Sequence, residues 1–241
     1  MKRPYMIIHI LSALDGKITG PFMKTPQALA VSEEYARIRN EYGADAWLYG
    51  TKTTKEFTSF RKPILQENSL CVPEGDYVAQ ADAPVYYVSV DTLGEIGWES
   101  GTFRKSGRPD AHVIEILTEK TPLAYRAYLR QRGVSYLLAG KDALDCQTAV
   151  KKLYELFGVE TILICGGGMI NWTFLQQGMV DELSLLLAPV ADGSPDSVSV
   201  FEKAAFLPQS APVRFRLKKV ETLKQDGIRL LYTVERKDEK I

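Results

Sequence analysis

One stretch decides how the chain folds: Thr161-Ile-Leu-Ile-Cys165-Gly-Gly-Gly168-Met-Ile-Asn171. The apolar, β-branched run predicts a buried strand, the three glycines predict a tight turn, and the apolar spacing from Met169 onward predicts a helix. Glycine lets the main chain turn with positive φ and lets a ligand approach the backbone. A strand, a glycine turn and a helix N-terminus in succession offer backbone N–H groups to a phosphate. The same residues also suit a tight turn with nothing bound, since short glycine motifs often occur without a nucleotide.

The glycine turn differs from the regular dinucleotide-binding fingerprint. Asn171 stands where the last glycine of G-x-G-x-x-G would be. The acidic residue expected about 20 positions further on has no counterpart, because Asp181 and Glu182 come too early and at the start of a strand. The sequence therefore favours a nucleotide-binding α/β fold other than the two-fold Rossmann arrangement.

Composition excludes several classes of protein. The 241 residues include 30 basic and 30 acidic side chains, so there is no overall positive charge for non-specific nucleic-acid binding. Three cysteines are an odd number and do not indicate a disulfide framework, so we expect a cytoplasmic protein. The cysteines, His9 and His112 do not have the spacing of metal ligands, so we expect no metal site. We also expect no membrane association, because no apolar stretch is long enough to span a bilayer.

Predicted strands and helices alternate along the rest of the chain. We expect strands near residues 5–11, 45–49, 84–90, 111–117, 134–139 and 180–189, and helices that start at Ser32, Thr51, Pro122 and Ala143. Residues 58–82 and 98–109 are expected to be irregular. Residues 213–220 and 228–234 alternate apolar and polar side chains around Asp226-Gly227, which predicts a β-hairpin solvated on one face.

This pattern predicts a single α/β domain over residues 1–241. Its mixed, mostly parallel central sheet would carry helices on both faces and end in a C-terminal antiparallel hairpin.

Polar residues that follow predicted strands are candidate ligand contacts. Asp15 and Lys17 come just past the first strand, where α/β sheets place ligands; the alternative is an ordinary Asp-Gly turn with a solvated lysine. Gly50 and the hydroxyls after it suit an anion at a helix start, or plain N-capping. Ser89, Asp91 and Thr92, at and just past the end of another strand, could meet the ribose side of a nucleotide.

Four motifs occur in the order in which one family carries them: Ser12-x-x-Asp15-Gly16-Lys17, Asp45-Ala-x-x-x-Gly50-x-x-x-Thr54, Gly166-Gly-Gly168 and Gly178-x-Val-Asp181-Glu182-Leu183…Pro189…Gly193. Over nearly its whole length the chain resembles the reductase domain of the bifunctional riboflavin-biosynthesis deaminase/reductase, a relative of dihydrofolate reductase. The resemblance implies a dihydrofolate-reductase-like three-layer sandwich. It also implies NADPH as the hydride donor, a small heterocyclic or sugar-like substrate, and a homodimer.

The resemblance assigns roles by position. The residues implied to bind the coenzyme are Gly166, Gly167, Gly168 and Met169 at its pyrophosphate, Gly50, Thr51 and Thr54 at its nicotinamide half or phosphates, and Ser89 at the adenosine ribose and its 2′-phosphate. Asp15 and Lys17 would face the substrate, and Glu182 would help to shape the substrate pocket. Lys17 could offer positive charge to a developing oxyanion or a substrate phosphate. Asp15 could relay a proton or hold a substrate hydroxyl or amine.

Three departures from the family pattern leave the substrate open. Cys165 stands where the family often has an acidic residue, the family's Asp-x-Pro-x-Leu pattern is missing after Thr54, and no deaminase half is present. We therefore expect a stand-alone member. Two alternatives are a nucleotide-binding protein of the same fold without reductase activity, and a phosphate-ligand enzyme that uses residues 166–169 without a nicotinamide.

Overall fold

The computed structural model describes residues 2–66, 72–205 and 207–235. Within these ranges the strands are β1 (Tyr5–Ser12), β2 (Ala46–Gly50), β3 (Tyr86–Val90), β4 (Thr102–Phe103), β5 (Ala111–Leu117), β6 (Ser135–Leu138), β7 (Thr161–Ile164), β8 (Glu182–Leu187), β9 (Phe215–Thr222) and β10 (Ile228–Val234). The helices are α1 (Pro26–Glu41), α2 (Thr51–Phe57), α3 (Leu123–Gln131), α4 (Cys146–Phe157) and α5 (Gly168–Gln176), with short 3-10 turns at Pro21–Lys24 and Lys224–Asp226.

Over the described residues the fold is α/β, with mixed, mostly parallel strand pairing and a C-terminal antiparallel hairpin, and the predicted fold class is confirmed. The chain divides into two compact units, each made of two segments. The first unit holds Met1–Pro4 and Asp45–Ile162, and the second holds Tyr5–Ala44 and Leu163–Ile241. The single domain expected over residues 1–241 stays a prediction.

In the first unit the strand order is β4-β5-β3-β2, with β6 also paired to β5. All these pairs are parallel except β4 with β5. Side chains of successive strand residues point to opposite faces, and both faces are covered. Tyr86 packs against Phe157 of α4 with ring centroids 5.4 Å apart, while Tyr87 shares a 3.0 Å hydrogen bond with Thr54 of α2.

In the second unit the strand order is β1-β8-β10-β9. β1 and β8 are parallel, whereas β10 runs antiparallel to both β8 and β9. Helix α1 covers one face, where its apolar side chains join the strand residues in a core formed by Leu11, Ala13, Phe22, Ala28, Val31, Ile38, Leu186 and Ala188. The parallel pairing of β1 with β8 brings their carboxyl ends, Ser12 and Leu187, side by side.

The start of α1 differs from the prediction. Thr25, not Ser32, is the N-cap, and its Oγ1 accepts a 3.3 Å hydrogen bond from the Ala28 N–H. Pro26 occupies the first helical position, where its missing N–H is not needed. The expected start at Ser32 is wrong because the Thr-Pro pair ahead of it already supplies both start signals.

Two smaller differences concern element boundaries. α4 begins at Cys146 rather than Ala143, because Asp145 caps it by accepting the Thr148 N–H at 3.0 Å. The segment 98–109, expected to be irregular, contains the two-residue strand β4. Part of the other expected irregular segment, residues 67–71, lies outside the described residues.

Candidate functional site

The glycine turn between β7 and α5 leaves one side of the backbone open. Gly166 has φ +102°, a conformation that side-chain-bearing residues rarely adopt, and the Gly166–Gly167 peptide bond is cis. A Cβ built on Gly167 would meet no atom within 4 Å. Gly167 is also the N-cap of α5, and no described side chain caps the helix there. The start of α5 thus combines open space at Gly167 with N–H groups that no described side chain caps, which suits a phosphate oxygen.

The other side of the turn is closed by residues 198–202. A Cβ on Gly168 would lie 2.2 Å from the Ser199 carbonyl oxygen, so only glycine allows this approach. The Glu202 N–H donates to the Gly168 carbonyl at 3.1 Å, and Asn171 Nδ2 donates to the Val200 carbonyl at 2.9 Å. These contacts fix the wall independently of any ligand.

The loop after β1 is tied to the same segment. The Asp15 carboxylate accepts the N–H of Gly193 at 2.8 Å and of Asp192 at 3.2 Å. These bonds, Gly193 first, hold the pKa of Asp15 below its usual range, so Asp15 is an ionised acceptor at neutral pH rather than a proton donor. Lys17 Nζ donates to the Ser197 carbonyl at 3.0 Å, and Lys17 forms a β-bridge with Ser199. The structure therefore brings Asp15, Lys17 and the glycine turn against one segment, residues 192–202.

Glu182 lies elsewhere in the second unit. It is paired with Ile7 at the amino end of β1, whereas Asp15 follows the carboxyl end of that strand. The Glu182 carboxylate is buried and accepts a 2.9 Å bond from Lys218 Nζ and longer bonds from Tyr5 and Tyr42. The structure does not bring Glu182 to Asp15 and Lys17, and its predicted role in the substrate pocket stays a prediction.

The remaining predicted coenzyme residues belong to the first unit. Gly50 is the N-cap of α2 and is partly exposed, and Thr51 Oγ1 donates to the Val90 carbonyl at 2.6 Å. Thr54 and Ser89 have no exposed surface. Thr54 bonds Tyr87, and Ser89 is paired with Glu115 across β3 and β5. Both hydroxyls face the interior, so the geometry gives them a supporting position, and their predicted ligand contacts remain predictions.

Two acidic residues of the first unit are buried: Asp91, which was predicted to lie near the ribose of a nucleotide, and Glu115, which the sequence reasoning missed. Glu115 is fully buried and accepts a 2.6 Å bond from Trp98 Nε1, and burial raises its pKa well above the usual value. Asp91 accepts the Glu95 and Ile96 N–H groups and the Tyr125 hydroxyl, and burial raises its pKa too. For Asp91 the glycine three residues later is a turn signal, whereas nothing in the alternation of β5 marks Glu115.

The family model for the RibD C-terminal domain matches residues 4–228. The chain belongs to this family. Membership of the RibD C-terminal domain family confirms the predicted class, a riboflavin-pathway type of reductase and thus an oxidoreductase that acts on a small molecule with a nicotinamide coenzyme.

Curated relatives are similar over most of their length. The chain is 28% identical over 237 residues to the 2,5-diamino-6-ribosylamino-4(3H)-pyrimidinone 5′-phosphate reductase of Methanothermobacter thermautotrophicus, covering 97% of this chain and 99% of that protein. It is 25% identical over 197 residues to the reductase of the same name from Aquifex aeolicus, covering 80% of each. A pyrimidine reductase-like protein from Corynebacterium diphtheriae shares the fold, with a TM-score of 0.68 at 17% identity over 97% of this chain and 92% of that one.

No group of three or more His, Cys, Asp or Glu side chains in residues 2–66, 72–205 and 207–235 is arranged to hold a metal ion. In the same part of the chain, every helix is too short or too polar to cross a membrane.

Proposed function

We propose that this protein is an NADPH-dependent reductase whose substrate is a ribosylaminopyrimidine phosphate of the kind named for its curated relatives. The observation that carries the proposal is the open, uncapped glycine turn of the second unit beside the loop of Asp15 and Lys17. A bound nicotinamide coenzyme would supply the hydride. The side chains and backbone of the protein would then bind and orient the coenzyme and the substrate and stabilise the charge that develops on the substrate.

The glycine turn fits a pyrophosphate on three grounds. Gly166 adopts a backbone conformation that exposes the turn, Gly167 leaves room for an approaching oxygen, and the N-terminus of α5 adds the positive end of a helix dipole. Met169, half exposed at 52%, lies at the rim of the same turn. The wall at Ser199–Glu202 keeps these groups in place before a ligand arrives.

Asp15 and Lys17 are proposed to bind the substrate. Because the pKa of Asp15 is lowered, its carboxylate would accept a hydrogen bond from a substrate hydroxyl or amine rather than donate a proton. An ammonium group has three donors, and the Ser197 carbonyl takes one from Lys17. The positive charge of Lys17 is therefore held in position and can still act on a substrate phosphate or a developing oxyanion.

NADPH rather than NADH is proposed as the coenzyme because the motifs of the chain resemble those of the reductase family, for which NADPH is the implied hydride donor.

A homodimer is supported by the apolar face of the C-terminal hairpin. Val220 is paired with Leu230 and Leu217 with Tyr232 on one face of the sheet, and Leu217 and Val220 are 52% and 54% exposed. The β9 edge carries a bulge and lysines, features that discourage addition of another strand. A second copy would therefore meet this uncharged face rather than the edge.

The dimer is tested by sedimentation. We expect a dimer for the wild type and a monomer for Leu217→Asp, with Lys219→Asp on the opposite face of β9 as the control. A monomeric wild type would overturn the dimer and leave the reductase assignment untouched.

The function is tested by following oxidation of NADPH with the pyrimidine phosphate as substrate, with NADH in parallel. Binding of NADPH is measured separately by a thermal shift. We expect both binding and turnover. A shift without turnover on this substrate or on a panel of carbonyl compounds would favour a nucleotide-binding protein. A shift caused only by a sugar phosphate would favour the phosphate-ligand enzyme.

A further inference from the structure

We propose that Asp192 is a positioning residue for the reaction: its carboxylate fixes the loop that carries Asp15 and Lys17. The inference rests on the proposed function of that loop. Asp192 lies in the Gly-, Ser-, Pro- and Asp-rich segment after β8. Its side chain is partly exposed.

The two loops hold each other through a reciprocal pair of carboxylates. Asp192 Oδ2 accepts the N–H of Phe22, in the loop after β1, at 3.0 Å. In return, Asp15 Oδ2 accepts the N–H groups of Asp192 and Gly193 at 3.2 and 2.8 Å. Each aspartate thus satisfies backbone donors of the other loop, and hydrogen bonds to a charged acceptor are the stronger kind.

The second carboxylate oxygen of Asp192 shapes its own loop. Oδ1 accepts the Ser194 N–H at 3.1 Å and a long bond from the Ser197 hydroxyl at 3.5 Å. These bonds, with Ser194 first and Phe22 next, hold the pKa of Asp192 below its usual range. The contact that positions Ser197 is important because the carbonyl oxygen of Ser197 accepts the hydrogen bond from Lys17 Nζ. One side chain therefore positions both Asp15 and Lys17.

The Asp192 carboxylate packs closely against Gly20 in the loop after β1. Gly20 has φ +136°, and a Cβ built on it would lie 2.5 Å from Asp192 Oδ2. The glycine at position 20 is thus required by the backbone conformation and by the carboxylate. A methyl group there would push the carboxylate away from the Phe22 N–H.

The glycine turn has separate supports. Gly168 is held by the Glu202 N–H and Asn171 by the Val200 carbonyl, and none of these bonds involves Asp192. Loss of the Asp192 carboxylate should therefore disturb the substrate side while leaving coenzyme binding intact. If Asp192 contributed only to overall stability, its loss would be expected to affect substrate turnover and coenzyme binding together.

The test compares Asp192→Asn with Asp196→Asn, an exposed acid in the same loop, so that the charge change is matched. We expect kcat to fall about tenfold or more in Asp192→Asn, because misplaced groups near a reacting centre slow turnover steeply. The dissociation constant for NADPH should stay unchanged, and Asp196→Asn should behave as the wild type. Hydrogen exchange of residues 14–22 should accelerate in Asp192→Asn only.

Gly20→Ala probes the same contact from the opposite loop. It should reproduce the loss of kcat, and the double variant should lose less than the product of the two single losses, because both break one contact. Equal kcat in the two Asn variants of an active enzyme would overturn the role of Asp192, as would a parallel loss of coenzyme affinity. A wild type that neither binds NADPH nor turns over would instead overturn the proposed function, and the positioning role with it.

Discussion

The two ends of the β1–β8 strand pair use carboxylates in opposite ways. At the carboxyl end, Asp15 is exposed and Asp192 partly exposed, and both accept backbone N–H groups of neighbouring loops. At the amino end, Glu182 is buried, forms an ion pair with Lys218 and accepts hydrogen bonds from two tyrosines. At the carboxyl end the polar groups hold loops beside an open glycine turn. At the amino end they join the hairpin to the sheet. This contrast agrees with the rule that open α/β sheets bind ligands beyond the carboxyl ends of their strands.

The largest effect is expected for Asp15→Asn. This variant keeps the shape of the side chain but weakens the grip on the Asp192 and Gly193 N–H groups and removes the charged acceptor for substrate. We expect kcat to fall roughly 10²-fold, with little change in NADPH affinity. Steady-state kinetics and a coenzyme titration give the two numbers, and unchanged turnover would remove Asp15 from the site.

Next in size is the effect of Gly167→Ala on coenzyme affinity. Gly167 has φ −79° and open space around its built Cβ, so an alanine should fold without strain or clash. Its methyl group would occupy the room proposed for a phosphate oxygen. We expect the NADPH dissociation constant to rise about tenfold, which corresponds to the loss of about one charged hydrogen bond, with an unchanged melting temperature. A variant that binds NADPH as tightly as the wild type would place the pyrophosphate elsewhere.

At the other end of the strand pair, Glu182→Gln should affect stability rather than chemistry. The amide keeps the volume of the side chain but loses the ion pair with half-exposed Lys218. We expect the free energy of unfolding to fall by about 1–2 kcal/mol, with kcat retained. Urea unfolding and steady-state kinetics measure both. A loss of kcat without a loss of stability would restore Glu182 to the substrate pocket.

The smallest expected effect is the dependence of stability on pH that Glu115 of the first unit contributes. Its pKa is raised in the folded state, so the folded protein binds more protons than the unfolded chain above the unfolded carboxyl pKa of about 4.3. Stability contributed by this group therefore falls as pH rises from that value toward the raised pKa. For Asp15 and Asp192, whose pKa values are lowered, stability is instead present above the unfolded pKa and lost as pH falls through the folded one.

Unfolding at a series of pH values separates the two signs. We expect Glu115→Gln to gain stability relative to the wild type as pH rises from about 5 to about 8. Asp192→Asn should lose its difference from the wild type on acidification below the pKa of an ordinary carboxyl group. A stability difference for Glu115→Gln that does not vary with pH would mean that Glu115 is ionised in the folded protein.

Much of this architecture could be predicted because its signals are local. The alternation in β5, the glycines that end β2 and β7, and the Asp-Gly turn of the hairpin each depend on a few neighbouring residues. The start of α1 was misplaced because Ser32 offers a weaker version of the same signals as Thr25-Pro26. The burial of the Thr54 and Ser89 side chains could not be predicted, because sequence gives no measure of which face of a helix or strand is covered. Their ligand contacts stay predictions.

The candidate site could be predicted only in part, for a related reason. Asp15 could be proposed as a site residue because it follows a strand, but its partners at positions 192 and 193 are 177 and 178 residues away in sequence. No periodicity links such distant loops. Their pairing depends on the parallel alignment of β1 with β8, which brings the ends of two strands together.

The most direct test of the central claim is an amide NMR titration of the wild-type protein with NADPH. If the glycine turn binds the pyrophosphate, the backbone N–H signals of Gly167, Gly168 and Met169 should show the largest shifts, and Gly167→Ala should need more coenzyme to reach the same change. Saturation by NADPH with these signals unmoved, and with the largest shifts elsewhere in the chain, would contradict the account.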